Sequence, residues 1–474
     1  MKRTAVKAAG FVAGLCILLF CMSRVLTFKD HDGIYSVTNF YELKDNTVDV
    51  LVLGSSHAYT DINTGILWRE HGIASYVLAA SSQSVWNSYY YLKEALKTQS
   101  PRLVVLEGFS LSADGDFPED SIAIKNTYGL KWSKNRVEAI KASVPEERQV
   151  EFLLGYTQYH SRYSYLTGED FGLVPEGQQD WKGTYLLTRM QPCEALEMDE
   201  CAGYVPLSEK TEKYYRAILA LAQEKQIPVL VIVNPCVNIN EYDQEKYNTA
   251  QRIAEEYQVP FVNYTRMTDE LQIDFAVDMA DKSHLNYKGS YKLSAELGNY
   301  IAEHYDIPDR REDPAYAGWE RDAKYQYAVM EDAQLLEMDD AVRIAPYLSR
   351  DNYDIFISID EPYITGEREV NAILNELGIE DADYGGMWYV AGGSEVVWSS
   401  GSGEALQYFE TDRHDYELKR AKNEEGEFVS RIVIDNQEYA TAKNGMNVVV
   451  FDTVTGTVAD AFGMNADSYY QLCR

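Results

Sequence analysis

Residues 48–54, VDVLVLG, constrain the fold of this chain more than any other segment. The run is almost continuously apolar, as in a strand buried on both faces of a parallel sheet, and Gly54 ends it where the chain must turn. Ser55, Ser56 and His57 follow at once. Because ligands bind at the carboxyl ends of strands in open α/β sheets, this turn is a candidate site for chemistry. The alternative interpretation is a polar turn that caps the next helix.

An alternation of strands and helices continues from this turn. ASYVLAASSQS and PRLVVLEGF have the apolar character of buried strands, and TGILWREHGI and VWNSYYYLKEALKTQ predict helices between them. After about residue 206 the alternation returns with the strands IPVLVIVNP and VPFVNY and with three more helices. Right-handed crossovers would place these strands in one parallel sheet. The predicted fold class is α/β, a three-layer α/β/α sandwich.

Changes in sequence character predict the domain boundaries. We assign residues 1–28 to a signal anchor or transmembrane helix and residues 29–308 to the α/β domain, with an insertion over the sheet edge at about 110–206. Residues 309–350 are charged and predict a helical linker. Residues 351–474 are mostly strands around one helix, GEREVNAILNELG, which indicates a smaller α+β domain.

The first residues predict where the chain resides. Lys2, Arg3 and Lys7 precede an apolar run at about residues 8–22, which is the pattern of a secretory signal or a short anchor. We favour a retained single-pass transmembrane helix with the bulk of the chain outside the cytoplasm. A cleaved secretory peptide is the alternative and leads to the same compartment.

Charge and cysteine content exclude several classes of ligand. The net charge of −32 is spread along the chain and repels polyphosphates, so nucleic acid is not an expected partner. No cysteine or histidine spacing predicts a metal site, and no cofactor is expected. Cys193 and Cys201 are close enough in sequence to bridge a small loop, but free thiols are an equal alternative.

A nucleophilic serine needs a base, and the sequence supplies a candidate. A histidine that is oriented by a carboxylate commonly takes the serine proton. The loop DKSH before the closing helix offers Asp281 and His284, which are near enough in sequence for the carboxylate to orient the imidazole. Their position after the last strand predicts that they reach the same sheet edge as Ser56.

Together, GSSHAY, the βαβ run and DKSHLNYKGSYKLS resemble the SGNH, or GDSL-like, hydrolase family over about residues 45–305. The match is most similar to the membrane-anchored extracytoplasmic branch that includes the D-alanyl-lipoteichoic acid protein and the alginate-type O-acetyltransferases. The resemblance implies a triad in which Ser56 is the nucleophile, His284 the base and Asp281 the orienting carboxylate. It implies a serine esterase or O-acyltransferase that acts on acyl groups of cell-envelope polysaccharide. That glycan and a membrane-bound O-acyltransferase are the partners it suggests.

The oxyanion donors depart from the family pattern. The loops VLAASSQS and VLEGFSLSAD lack the family's second-block glycine and third-block asparagine. The Ser56 amide and a loop amide near Ala79, with help from Gln83 or Ser81, are the expected substitutes, because a backbone amide needs no particular side chain. In the insertion, His160 and Arg162 are candidates for binding an anionic group of the substrate, with loop packing as the alternative. The departure also favours a second hypothesis, a non-catalytic surface glycan-binding or assembly protein.

Three polar residues near the site have open roles. His57 follows Ser56 directly, and we interpret it as structural. Glu107 and Asn234 each follow or end a predicted strand on the same edge. A solvated carboxylate at Glu107 and a loop amide at Asn234 are as consistent with the pattern as functional groups.

The C-terminal part has a weaker resemblance. YDIFISIDEPYITGEREVNAILNELG, MWYVAGG and GMNVVVFDTVTGTVADAFGMN resemble pieces of the interleukin-like EMT inducer domain, which has a lectin-like fold, in a different order. This resemblance implies carbohydrate binding, with Trp388 and Trp398 as candidates for stacking on a sugar. The alternative is that both tryptophans fill a core.

Overall fold

The computed structural model describes residues 2–26, 32–155, 162–171, 181–195, 201–361, 364–411, 413–439 and 444–474. The chain divides into two compact units, residues 1–323 and 324–474. Each has its own sheets and its own core.

The first unit is built on one five-stranded sheet. All neighbouring strands are parallel, and their order is β2-β1-β3-β4-β5. The predicted parallel sheet is therefore confirmed. The direction of winding changes between β1 and β3, so their carboxyl ends border the crevice where such sheets bind ligands. The strands are β1 (Val50–Gly54), β2 (Ser75–Ala79), β3 (Leu103–Glu107), β4 (Val229–Val233) and β5 (Phe261–Asn263).

Helices cover both faces of this sheet because its strands are apolar on both faces. Leu51 and Leu53 pack on one side with α2, α5, α9 and α10, and Val50 and Val52 pack on the other with α3, α4 and α11. The result is a three-layer arrangement. The helices of this unit are α1 (Lys2–Leu26), α2 (Asp32–Phe40), α3 (Ser56–Asp61), α4 (Thr64–His71), α5 (Val85–Ala95), α6 (Asp120–Thr127), α7 (Lys134–Ser143), α8 (Gln149–Leu154), α9 (Glu209–Lys225), α10 (Glu241–Glu256) and α11 (Tyr287–His304).

The segment predicted as an insertion, residues 110–206, adds no strand to the sheet in its described part. It contains α6, α7 and α8, several short 3₁₀ turns and a stretch without helix or strand from residue 184 to 195. That stretch reaches the candidate site.

None of the helices in the described ranges combines the length and the apolar character that a membrane span requires. The prediction of an N-terminal transmembrane helix is therefore not supported. Helix α1 has 25 residues, but its apolar run at 8–22 is bounded by Lys7 and Arg24 and is shorter than the roughly 20 residues that cross a bilayer.

The second unit is an antiparallel α+β structure. A five-stranded sheet, β14-β13-β6-β7-β8, packs against α13 and α14 on one face and against a four-stranded sheet, β12-β11-β10-β9, on the other. Helix α12 (Ala317–Leu336) runs from the first unit into the second. The remaining elements are α13 (Ala341–Leu348), α14 (Arg368–Glu376), β6 (Tyr353–Ile359), β7 (Gly386–Ala391), β8 (Glu395–Ser399), β9 (Ala405–Glu410), β10 (Asp415–Lys422), β11 (Phe428–Ile434), β12 (Gln437–Glu438), β13 (Met446–Asp452) and β14 (Thr457–Met464).

Candidate active site

The turn after β1 brings Ser56 to the edge of the sheet. Strand β1 is fully buried, Ser55 is the N-cap of α3, and Ser56 is the first residue of that helix. Gly54 is required because a Cβ atom there would lie 2.6 Å from the Cβ of Glu107 and 2.9 Å from that of Ala58. The close approach of β1, β3 and α3 therefore places the Ser56 hydroxyl just outside the sheet.

Glu107, at the end of β3, holds this turn in place. Its Oε2 accepts hydrogen bonds from the Ser55 amide (3.1 Å) and the Ser55 hydroxyl (2.9 Å), and its Oε1 accepts one from the Phe109 amide (2.6 Å). The carboxyl group is buried, so the sequence alternative of a solvated carboxylate is wrong. Burial raises the pKa of Glu107, and the charge of His57 and these hydrogen bonds oppose that rise.

Ser56, His284 and Asp281 form a continuous hydrogen-bonded chain. His284 Nε2 lies 2.8 Å from Ser56 Oγ, and His284 Nδ1 lies 3.0 and 3.1 Å from the two carboxylate oxygens of Asp281. With the carboxylate at Nδ1, the neutral ring carries its proton there, which leaves Nε2 as the acceptor for the serine proton. The arrangement can deprotonate Ser56 and stabilise the imidazolium that forms.

Asp281 is held ionised by its surroundings. Its Oδ1 accepts hydrogen bonds from the amides of Ser283 (2.8 Å) and His284 (3.0 Å), and Oδ2 lies 2.5 Å from Arg189 Nη2. Burial raises the pKa of Asp281, but the Ser283 amide, His284 and Arg189 outweigh it and hold the pKa at about 2. The carboxylate is therefore charged at any pH at which a histidine base works.

Asp61 joins the helix that carries Ser56 to the loop that carries His284. Its Oδ1 accepts a hydrogen bond from the Leu285 amide at 3.0 Å, and its side chain is fully buried at the end of α3. Asn286, the residue after Leu285, caps α11 by accepting hydrogen bonds from the Lys288 and Gly289 amides. The His284 loop is thus fixed on both sides.

His57 and Asn234 lie behind the site and support α3. The His57 ring stacks on Phe109 at a centroid distance of 3.9 Å, and its Nδ1 lies 3.4 Å from Asp61 Oδ2 without hydrogen-bond alignment. Burial lowers the pKa of His57, but Asp61 together with the charges of Glu107 and Asp281 outweighs burial, so the pKa is raised. Asn234 Nδ2 donates to the His57 carbonyl oxygen at 2.9 Å. Both side chains are buried, and their contacts support α3 and do not face the space in front of Ser56.

The predicted oxyanion residues are only partly available. Ala79 ends β2 directly opposite Gly54 of β1, one residue before the Ser55–Ser56 turn. The Gln83 side chain is fully buried and donates to Ser88 Oγ at 3.0 Å, so it is not open to an ester. Ser81 is also committed, since its amide and its hydroxyl both donate to Asp32. Backbone amides around Ser56 and after Ala79 are the remaining candidates.

The insertion contributes a different residue from those predicted. His160 lies outside the described residues. Arg162 forms an ion pair with Asp170 in its own loop. Arg189, which the sequence analysis does not single out, contacts Asp281 instead. An arginine in an irregular loop carries no periodic signal, so only its spatial position identifies it.

In the second unit, Trp388 is a core residue. It is 4% exposed and packs between the sheet and the helices, so the predicted stacking of Trp388 on a sugar is wrong. Trp398 is partly buried, with its ring edge-to-face against Phe409 at 6.1 Å. Cys193 and Cys201 are both free.

Comparisons with known proteins add little to this geometry. No family model and no curated protein matches the sequence. Among solved structures, a predicted acylhydrolase from Bacteroides fragilis is 12% identical, and the match covers 56% of this chain and 93% of that one, with a TM-score of 0.29. A likeness at this level carries no argument about function.

Proposed function

We propose that this chain is a serine esterase or O-acyltransferase of the SGNH type that acts on acyl groups of cell-envelope polysaccharide. The observation that carries the proposal is the hydrogen-bonded chain from Ser56 through His284 to Asp281 at the carboxyl edge of a parallel sheet. The GSSH and DKSH segments support the same assignment, because they match the first and last blocks of that family.

The reaction proceeds in two halves. His284 Nε2 accepts the proton of Ser56 as Oγ attacks the ester carbonyl carbon, and backbone amides near Ser56 bind the oxyanion. The tetrahedral intermediate collapses, the bond between the carbonyl carbon and the alcohol oxygen breaks, and His284 returns the proton to the leaving alcohol. Water or a sugar hydroxyl then gives its proton to His284 and attacks the carbonyl carbon of the acyl-serine. The bond between that carbon and Ser56 Oγ breaks, His284 returns the proton to Oγ, and the acid or the new ester is released.

The acceptor and the partner follow from the family resemblance. Acyl transfer to a glycan hydroxyl, with a membrane-bound O-acyltransferase as the donor, is the form of the reaction that we favour. We further propose that residues 1–28 direct the chain out of the cytoplasm, either as a retained anchor or as a cleaved signal. The cationic start and the exposed apolar side chains of α1, such as Phe11 at 72% exposure, support this location.

A non-catalytic glycan-binding or assembly protein is the second candidate. It is favoured by the loop VLEGFSLSAD, which lacks the family's third-block asparagine. The carboxylate of Glu107 in this loop accepts hydrogen bonds from the amides of Ser55 and Phe109 and does not face a substrate. An oxyanion site without side-chain donors would be weaker.

A fluorophosphonate probe separates the two candidates. We expect a membrane-impermeant probe to label the protein on intact cells, because the activated Ser56 attacks phosphorus as it would a carbonyl. Ser56→Ala should abolish labelling, and Ser55→Ala, one residue away, should retain a measurable level. Folded protein that stays unlabelled after lysis would exclude the esterase. Labelling only after lysis would exclude the proposed location.

A further inference from the structure

Residues 185–193 of the insertion form neither helix nor strand and lie beside the candidate site, and we name them the strap. Its backbone contacts α3, which carries Ser56, and the loop of residues 275–287, which carries Asp281 and His284. The hydrogen bonds run from the Tyr185 amide to the Tyr59 carbonyl (2.7 Å), from the Tyr287 amide to the Leu187 carbonyl (2.8 Å), from the Gln191 amide to the Met279 carbonyl (2.9 Å) and from the Cys193 amide to the Phe275 carbonyl (2.8 Å).

Arg189 lies at the middle of the strap and makes two contacts with the loop. Its Nη2 lies 2.5 Å from Asp281 Oδ2, and its Nε donates to the Ala280 carbonyl oxygen at 3.0 Å. A planar guanidinium can make both contacts at once, because its N–H groups diverge at fixed angles. A lysine ammonium cannot reproduce that pair from one point.

The two oxygens of Asp281 are fixed in different ways. Backbone amides of Ser283 and His284 hold Oδ1, whereas Arg189 holds Oδ2. Without the guanidinium, the carboxylate plane can rotate about its amide-bound oxygen. The imidazole, which lies almost equally far from both oxygens, would follow that rotation and move Nε2 away from Ser56.

We infer that Arg189 is a positioning residue for the Ser56–His284–Asp281 chain and that the strap holds the serine and histidine halves of the site together. The inference rests on the proposed esterase function. It assigns the insertion a part in assembling the site. The charge of Arg189 also helps to keep Asp281 ionised, which agrees with the direction of its pKa.

The test is steady-state turnover of p-nitrophenyl acetate by the full chain. Arg189→Ala should lower kcat by about tenfold and leave KM nearly unchanged, because the lost contact is charge-assisted but partly exposed to solvent. Arg189→Lys should be intermediate. Ethylguanidinium at low millimolar concentration should restore part of kcat to Arg189→Ala, whereas the same concentration of sodium chloride should not.

Arg216→Ala is the matched control. Arg216 also pairs with carboxylates, Glu212 and Glu256, but on the surface of α9 and α10. We expect its kcat to equal that of the wild type. The inference would be overturned if Arg189→Ala showed the melting curve of a folded protein and the wild-type kcat. A higher KM with an unchanged kcat would overturn it as well. Should Arg189→Ala not fold, Arg189→Lys with wild-type kcat would overturn it equally. A wild-type protein that neither turns over the ester nor takes the probe would instead defeat the proposed function itself.

Discussion

Asp281, which is partly exposed, and Glu107, which is buried, are two carboxyl groups at one sheet edge with different roles. Asp281 receives amide and guanidinium donors that favour its charged form, whereas Glu107 is desolvated and ties the Ser55 turn to β3. The sequence predicts the first role, because DKSH places the carboxylate three residues from a histidine. It leaves the second open, because Glu107 meets Ser55 across 52 positions of the chain.

The depressed pKa of Asp281 predicts a pH-dependent contribution to stability. Its folded-state pKa of about 2 lies below the ordinary 3.8, so the contribution is full above about pH 4 and is lost as the pH falls towards 2. Partial exposure limits it to about 1–2 kcal/mol. Asp281→Asn should therefore be less stable than the wild type at pH 7 and nearly equal to it at pH 2. Urea unfolding at the two pH values measures this.

Asp269→Asn is the control for that measurement, because Asp269 is an exposed carboxylate in the same unit. Its stability should differ little from that of the wild type at pH 7. The free energy of unfolding of the wild type differs between pH 7 and pH 2. If Asp281→Asn showed the same difference, the hydrogen bonds of Asp281 would not be the source of its low pKa.

At the scale of elements, the strands of the first unit are predictable because they are buried on both faces and therefore continuously apolar. The patterns do not predict β8, β9 and β10 of the second unit. Strand β10, DYELKRAK, alternates buried and partly exposed residues, and its charged side chains conceal that alternation. Strand β8 is largely exposed. Strands of this kind are stabilised by pairing with distant neighbours, which local sequence does not encode.

The buried hydrogen bond from the Leu285 amide to Asp61 links α3 to the His284 loop, and Asp61→Asn tests that link. In Asp61→Asn, the amide group would turn an N–H towards either the Leu285 amide or Asn234 Nδ2, both of which are donors to Asp61. We expect a loss of about 1–3 kcal/mol in the free energy of unfolding. We also expect a lower kcat, because His284 precedes Leu285. Thermal melts and p-nitrophenyl acetate turnover measure both effects.

Asp313→Asn is the matched control for Asp61→Asn. Asp313 accepts a hydrogen bond from the Ala315 amide at the start of a 3₁₀ turn, and asparagine caps such a turn equally well. It should change stability by less than about 0.5 kcal/mol. An Asp61→Asn protein as stable and as active as Asp313→Asn would mean that the α3 contact does not position the loop.

For the whole molecule, the packing of α12 decides where the chain can be divided. Tyr316, Trp319 and Ala323 belong to the core of the first unit, and Trp319 Nε1 donates to the Ser75 carbonyl oxygen at 2.9 Å. The sequence groups these residues with the charged linker because acidic and basic residues surround them. The local sequence does not predict their burial, because they are buried by packing on a sheet that is formed from distant segments of the chain.

Two fragments test whether the second unit serves binding rather than turnover. Residues 32–336 keep α12, so they should turn over p-nitrophenyl acetate with the kcat of the full chain. Residues 32–310 lack Tyr316 and Trp319 and should be less stable by about 3–5 kcal/mol, the scale of removing a large core side chain. On isolated envelope polysaccharide, the longer fragment should bind more weakly than the full chain, because a second contact site raises the effective concentration of the polymer. If the longer fragment is folded by circular dichroism but inactive on the small ester, turnover requires the second unit, and a role of that unit in binding alone is wrong.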